Sequence, residues 1–302
     1  MKLQQIIANN LSIHLSDLAF DIQLTGEVQT KLMTLGCLDA PVDGSFGPVS
    51  RLALSRFADI AGVAYEERVD APLAQALLDA SDDTFLPLTL GTDFASRVVR
   101  YMQLRNHWLA KLPGFLNIIY VEGANDDGQP NADTFNVFND RRLVLHIQNG
   151  TPTLLLNVLA TTEPGRFYTE NPENSLGAAR IAFGQYKSWQ VGTHKQGRPG
   201  AHEALVQVGN LTVCRDLNRD GKRTGDRIFI DSGFGINQHS GHNQPANNIG
   251  KASAGCLVGR TDAQHQEFMQ LVKTDPRYSE ASHGYRFVST IIAGDDLKAK
   301  VG

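Results

Sequence analysis

Cys256 sits in the run KASAGCLVGR (251–260), where Ala-Ser-Ala-Gly delivers a thiol just before the apolar pair Leu257 and Val258. Shortly upstream, GINQHSGHNQ (235–244) carries two of the nine histidines, His239 and His242. Thiol catalysis needs a thiolate, a base or cation that stabilises it, and amide N–H groups aimed at a developing oxyanion. Gly255, directly before Cys256, lets the backbone turn tightly and leaves N–H groups near the sulfur. His239 lies in FGINQHSG, which reads as a strand end followed by a glycine turn. If that strand runs beside the one leaving Cys256, the imidazole reaches the thiol. A cysteine among apolar residues is also a good small core filler, and a lone histidine is often a satisfied polar residue. The residues alone leave these readings open.

Two metal readings compete with the thiol. His239, His242 and His202 (in PGAHEAL) would supply nitrogens for zinc, but no HExxH occurs and the acidic residues lack zinc-peptidase spacing. His202 otherwise reads as a substrate contact at the edge of the cysteine site, or as a strand residue facing solvent. In DLNRDGKRTGDR (216–227), Asp216, Asn218, Asp220 and Gly221 have the spacing that opens a calcium loop. Arg227 stands where the bidentate glutamate belongs, and Lys222 and Arg223 oppose a cation. A polar turn is the better reading. No metal or cofactor is expected.

These side chains need a scaffold, and the texture of the chain changes near residue 113. Before it, Val28, Leu32 and Leu35 fall on one helical face and Gly36 stops the helix. APVDGSFG follows as a turn, then a second helix with Leu52, Leu54, Phe57 and Ile60 as apolar positions. The pattern stays mainly helical from Ala71 to about Leu112. After it, FLNIIYVEG, RRLVLHIQNGTPTLLLNVLATT and ALVQVGNLTVCRD are β-rich runs, and Asn149-Gly150 marks a hairpin with a primed turn. One late helix is expected, capped by Thr261 with Gln264, its inward stripe being His265, Phe268, Met269 and Val272, with Pro276 ending it. The fold class is therefore α+β, with a small helical bundle over 1–66, a helical linker segment over 67–112 and a β-rich domain over 113–302.

At 302 residues the chain is long enough for two such parts. A formal net charge of −4 with no basic stripe argues against a nucleic-acid partner. No window approaches the ~20 apolar residues of a membrane span. The first residues lack the apolar stretch and cleavage site of a secretion signal, and Cys37, Cys214 and Cys256 form no CxxC pair. The chain thus reads as made in the cytoplasm with reduced thiols.

INQHSG followed by IGKASAGCLV resembles the active-site signature of the L,D-transpeptidase family, a His-Gly or His-Ser step followed by Ser/Thr-x-Gly-Cys. His239 and Ser240 match the first part; Ser253, Gly255 and Cys256 match the second. The resemblance spans roughly Leu116 to Ile292. Ala254 stands where the family usually has histidine, and Val258 where it has arginine or asparagine, so donor and acceptor specificity are left open. Separately, VQTKLMTLGCLDAPVDGSFGPVSRLALSRF resembles the small three-helix peptidoglycan-binding domain, with Asp43, Gly44, Phe46 and Gly47 matching its turn.

The resemblance implies that Cys256 attacks a peptide carbonyl in a peptidoglycan stem, with His239 taking the thiol proton to form a thiolate–imidazolium pair. The Ser240 carbonyl would fix the histidine tautomer, Gly255 and Cys256 N–H groups would hold the oxyanion, and Ser253 would brace the turn. Such a thiolate would label before Cys37 and Cys214 at neutral pH. Peptidoglycan and its muropeptides are the implied partners and the bacterial cell wall the implied site of action. A chain without a recognisable export signal would then be delivered, as a phage lysin or antibacterial effector. A non-catalytic wall-binding or structural protein and a zinc peptidase are the alternatives.

Overall fold

Amphipathic spacing in the first eighty residues builds a helical layer. Its elements are α1 (Leu3–Ala8), β1 (Ser12–His14), α2 (Leu15–Leu18), α3 (Ile22–Thr34), α4 (Pro48–Ala61), β2 (Arg68–Asp70) and α5 (Ala71–Asp79). These come from a computed structural model that describes all 302 residues. Val28, Leu32 and Leu35 are buried together, and Gly36 ends the α3 segment at φ +73°. A side chain at Gly36 would meet the Leu109 carbonyl at 2.8 Å, so only glycine fits. α4 buries Ala53, Leu54, Phe57 and Ala58, while Ile60, expected inward, is 41% exposed. The alanines permit close helix contact and leave Ile60 at the edge of the buried stripe.

β1 and β2 pair antiparallel, and Leu73, Ala74 and Leu77 of α5 join the same core as Leu3, Leu24 and Phe57. That core thus extends beyond residue 66 and also takes in Ala110, Leu112 and Phe115. After α6 (Asp82–Phe85), α7 (Phe94–Leu104) belongs to a different layer. The helical run expected to reach Leu112 stops at Leu104. Asn106 takes φ +53°, while the Asn106 and His107 N–H groups close back on Gln103 and Met102, a Schellman stop.

The remaining elements are β3 (Leu116–Glu122), β4 (Asp140–Gln148), β5 (Thr151–Thr161), α8 (Arg166–Glu170), β6 (Ala178–Ile181), β7 (Gly184–His194), β8 (His202–Gln207) and β9 (Leu211–Asp216). They continue with β10 (Arg227–Asp231), β11 (Gln238–Ser240), β12 (Leu257–Gly259), α9 (Asp262–Lys273), α10 (Pro276–Glu280), β13 (Phe287–Ala293) and α11 (Gly294–Val301). Eight strands close a barrel in the order β11-β12-β5-β4-β3-β13-β7-β8, and β10-β9-β6 form a separate three-stranded sheet. The molecule is α+β.

Alternation explains why β3 is buried along its whole length. Ile118 and Tyr120 face the barrel interior, whereas Ile119 and Val121 pack outward on Val98, Val99 and Met102 of α7 and Leu297 of α11. Asn149 and Gly150 both have positive φ in the β4–β5 hairpin, as a primed turn requires. Thr261 caps α9 by accepting from the Gln264 N–H, and His265, Phe268, Met269 and Val272 are buried. α9 ends at Lys273, and Pro276 opens α10 instead of terminating α9. No helix is long and apolar enough to cross a membrane.

Candidate active site

β11 and β12 are only three residues each, yet they set the geometry. They run parallel, with Gln238 opposite Leu257 and His239 opposite Val258. Gln238 points into the barrel, donating to Ser289 Oγ at 2.8 Å and accepting from Tyr120. Alternation therefore sends His239 to the other face, together with Val258 and, two residues earlier, Cys256. His239 and Cys256 both line one cavity of about 550 Å³. The sulfur accepts from the Asn237 N–H at 3.4 Å and donates to the Gly235 carbonyl at 3.5 Å.

The pairing is held from inside by Arg142, fully buried on β4. Its guanidinium donates to the His239 and Leu257 carbonyls at 3.2 and 3.1 Å, to the Tyr120 hydroxyl at 2.6 Å and to His265 Nδ1 at 3.2 Å. One cation thus ties β11, β12, β3 and α9 together over the Phe268 ring, 4.4 Å away. Gly259 makes room, since a Cβ there would lie 2.5 Å from Arg142 Nη1.

The loop before the cysteine is braced in the same manner. Asn136 accepts from the Gly250 and Arg166 N–H groups and donates to Asn248. Ser253 Oγ donates to the Cys256 carbonyl at 2.8 Å and accepts from the Gly255 N–H at 3.1 Å. Gly255 has φ +126°, and a Cβ there would fall 2.4 Å from the Ala179 carbonyl. This corrects one expectation: the Gly255 N–H is occupied by Ser253 and is not open to an oxyanion. The Cys256 N–H donates to no group of the chain.

Histidine tautomers follow from partners that can only accept or only donate. His239 Nδ1 lies 2.7 Å from the Ser240 carbonyl, so Nδ1 carries the proton and Nε2 keeps a lone pair. His202 Nε2 accepts from the Ser240 N–H at 3.1 Å, so its Nδ1 donates to the Gly200 carbonyl. With both nitrogens committed to backbone, His202 positions β11 and does not line the cavity. The Ser240 hydroxyl donates to Asp262, which also holds His242 and Asn243. This hydrogen-bonded arrangement does not converge His202, His239 and His242 as a zinc set.

His194 escaped sequence reading. It ends β7, stacks on His239 with ring centroids 3.9 Å apart, and accepts from Asn237 Nδ2 at 3.0 Å. Its only signal was the recurrence of histidine at both ends of GTHKQGRPGAH, where His194 pairs with His202 across the β7–β8 hairpin. Arg142 and Asn136 gave no sequence signal at all.

Electrostatics do not favour a resting ion pair. Burial pushes the Cys256 thiol up to about 11, with the Asn237 N–H acting in the opposite direction. Burial, then the neighbouring His194, drives His239 well below the usual histidine range. Both shifts favour the uncharged forms of the two groups. Cys256 is half-buried and packs against the cluster of Phe138, Ile249 and Val258.

The other expected residues lie elsewhere. Asp43 accepts from Gln29 and from the Ser45 N–H, and Gly44 donates to Gln29, so these residues organise the α3–α4 turn. Phe46 packs on the helical core. Asp43 and Gly47 line a cavity of about 450 Å³ shared with Lys187, Tyr285 and Arg286 of the barrel side, and it has no lining residue in common with the Cys256 cavity. In the β9–β10 loop, Asp216 is spent on the Asp220 and Gly221 N–H groups and Asp220 on Lys222 N–H and Asn218, giving a self-bonded polar turn.

No family model matches the chain, and no curated protein matches it. Among solved structures, a fused zinc-dependent amidase/peptidase/peptidoglycan-binding domain-containing protein from Clostridium acetobutylicum aligns at TM-score 0.26 and 13% identity, over 93% of this chain and 99% of that one. An L,D-transpeptidase from Xylanimonas cellulosilytica aligns at TM-score 0.20 and 12% identity, over 87% of this chain and 90% of that one. Superpositions this loose carry no argument about fold or activity.

Proposed function

We propose that the chain is a cysteine acyl-transfer enzyme of L,D-transpeptidase type, acting on the stem peptides of peptidoglycan. One observation carries the reading: the parallel pairing of β11 and β12 puts His239 and Cys256 on the same face and on the wall of one cavity. The substrate class rests on the resemblance of the His-Ser…Ser-Ala-Gly-Cys motif.

Because the resting thiol is neutral, the proton leaves sulfur as attack begins. Cys256 Sγ bonds to the carbonyl carbon while its proton passes to His239 Nε2, which has the free lone pair. The Cys256 N–H is the available donor for the oxyanion. Collapse breaks the C–N bond, and His239 returns the proton to the leaving amine. Water or a second amine then opens the thioester, giving hydrolysis or cross-linking. His194, stacked on His239, disfavours a stable imidazolium and keeps the base neutral. Ser240, His202 and Asp262 hold the histidine in register, and Ser253 holds the cysteine turn. The α3–α4 turn, with Asp43, Gly44, Phe46 and Gly47, would belong to a wall-binding unit, and delivery to the cell wall is part of the same proposal.

Mass spectrometry of defined muropeptides incubated with the protein tests this reading. Conversion of a stem peptide by the native chain, lost in Cys256→Ala with an unchanged melting curve, is the expected result. Unaltered conversion by Cys256→Ala would remove the nucleophile.

A further inference from the structure

The cavity at Cys256 has a charge that the chain as a whole does not. The protein carries a formal net charge of −4. Yet Lys195, Arg198, Arg215 and Lys251 line this cavity against two acids, Glu173 and Asp231. They come from three separate segments: the β7–β8 loop, strand β9 and the loop leading to Cys256. None of the four cations is ion-paired, whereas the buried Arg180 and Arg277 are.

Arg215 is the built element of this set. It is half-buried on β9, directly opposite Ala179, whose carbonyl limits position 255. One arm donates to the Gly177 carbonyl at 3.2 Å, and the guanidinium lies 5.3 Å from the Phe234 ring centroid. These contacts fix the plane of the fork and leave other N–H groups without a protein acceptor. Lys251 rests over the Phe167 ring at 4.1 Å, with its ammonium otherwise free. A fixed, unpaired guanidinium is suited to a planar carboxylate. Exposed lysine and arginine around it would steer an anion toward the cavity.

We propose that this cavity selects acyl donors that carry free carboxylates and discriminates against the same stem peptides in amidated form, with Arg215 as the carboxylate fork and Lys251, Lys195 and Arg198 as the surrounding field. The inference rests on the acyl-transfer reading for its substrate but not for its test.

Binding is measured by calorimetry on the full-length Cys256→Ala chain, which has no nucleophile. The probes are a muramyl tetrapeptide with free carboxylates and the same peptide amidated. The acid should bind at least about tenfold more tightly at low salt, as a charge-assisted pair would give. The margin should shrink with added salt. It should fall to less than about threefold in Arg215→Gln, be only partly kept in Arg215→Lys, which retains the charge but not the fork, and narrow in Lys251→Gln, whose exposed side chain does not support the fold. Equal binding of acid and amide, a margin indifferent to these variants, or no binding of either peptide would overturn the inference. Turnover by the native chain without a carboxylate preference counts against this inference alone. A preference without turnover counts against the acyl-transfer reading alone.

Discussion

Raising the pH during reaction with an aromatic disulfide reagent separates a neutral thiol from a pre-formed thiolate. Burial pushes Cys256 up to about 11, and the residue packs against Phe138, Ile249 and Val258. At pH 7.5 its thiolate fraction is then roughly 300-fold below that of a free cysteine near 8.5. A more basic thiolate is intrinsically more reactive, by roughly tenfold over this interval. The net expectation is a rate about 20–30-fold below that of an unhindered cysteine. It should climb close to tenfold per pH unit through pH 9, with no plateau. Cys37, pushed to about 12 and fully buried, and Cys214, also buried, should react only after unfolding, so peptide mapping assigns the early label. A rate that is flat from pH 5 to 8 would mean that an ion pair exists after all, and that burial is not what governs this sulfur.

Further expectations follow from the same geometry. His239 must be neutral to act as base, and burial depresses its proton affinity, so the acid limb of kcat/KM should lie well below the usual histidine range. An acid limb centred at 6.5 or higher in the pH–rate profile would contradict the depression. Gly255→Ala places a side chain 2.4 Å from the Ala179 carbonyl in a backbone region hostile to L-residues. It should cost at least about 2 kcal/mol in urea unfolding and most of the activity, and a neutral result would undo the account of the cysteine turn. Arg142→Met strips a donor from two carbonyls, a hydroxyl and an imidazole inside the barrel. A loss on the order of 3–5 kcal/mol is expected, and a denaturant midpoint unchanged from the native value would show that β11 and β12 do not depend on it.

What the sequence made legible was local. Asn149-Gly150, the Thr261 cap with its His265–Val272 stripe, and Gly36 all act through nearby backbone, and each stands where its chemistry placed it. Ile60 and Leu112 departed from expectation: α4 buries Ala53, Leu54, Phe57 and Ala58 and leaves Ile60 at the edge, and a local Schellman turn at Asn106 stops α7. At the site, the motif marked Cys256 and Ser253 on one loop and His239 on the short strand β11, all short-range features. Arg142 lies 97 residues from His239 in sequence, and His194 lies 45 residues from it, so only barrel closure reveals them. The sign of the proton affinities was equally hidden. A motif names a thiol and an imidazole but not the dielectric around them, and here burial opposes charge on both.

The central claim is that Cys256 carries the acyl group. Intact-protein mass spectrometry of an acid-quenched reaction with a muramyl tetrapeptide reads this directly. The account predicts a mass increase equal to the acyl fragment, mapped to the peptide containing Cys256, released by hydroxylamine and slowed strongly in His239→Gln. Substrate turnover with no adduct at any quench time, or an adduct on another residue, would contradict it.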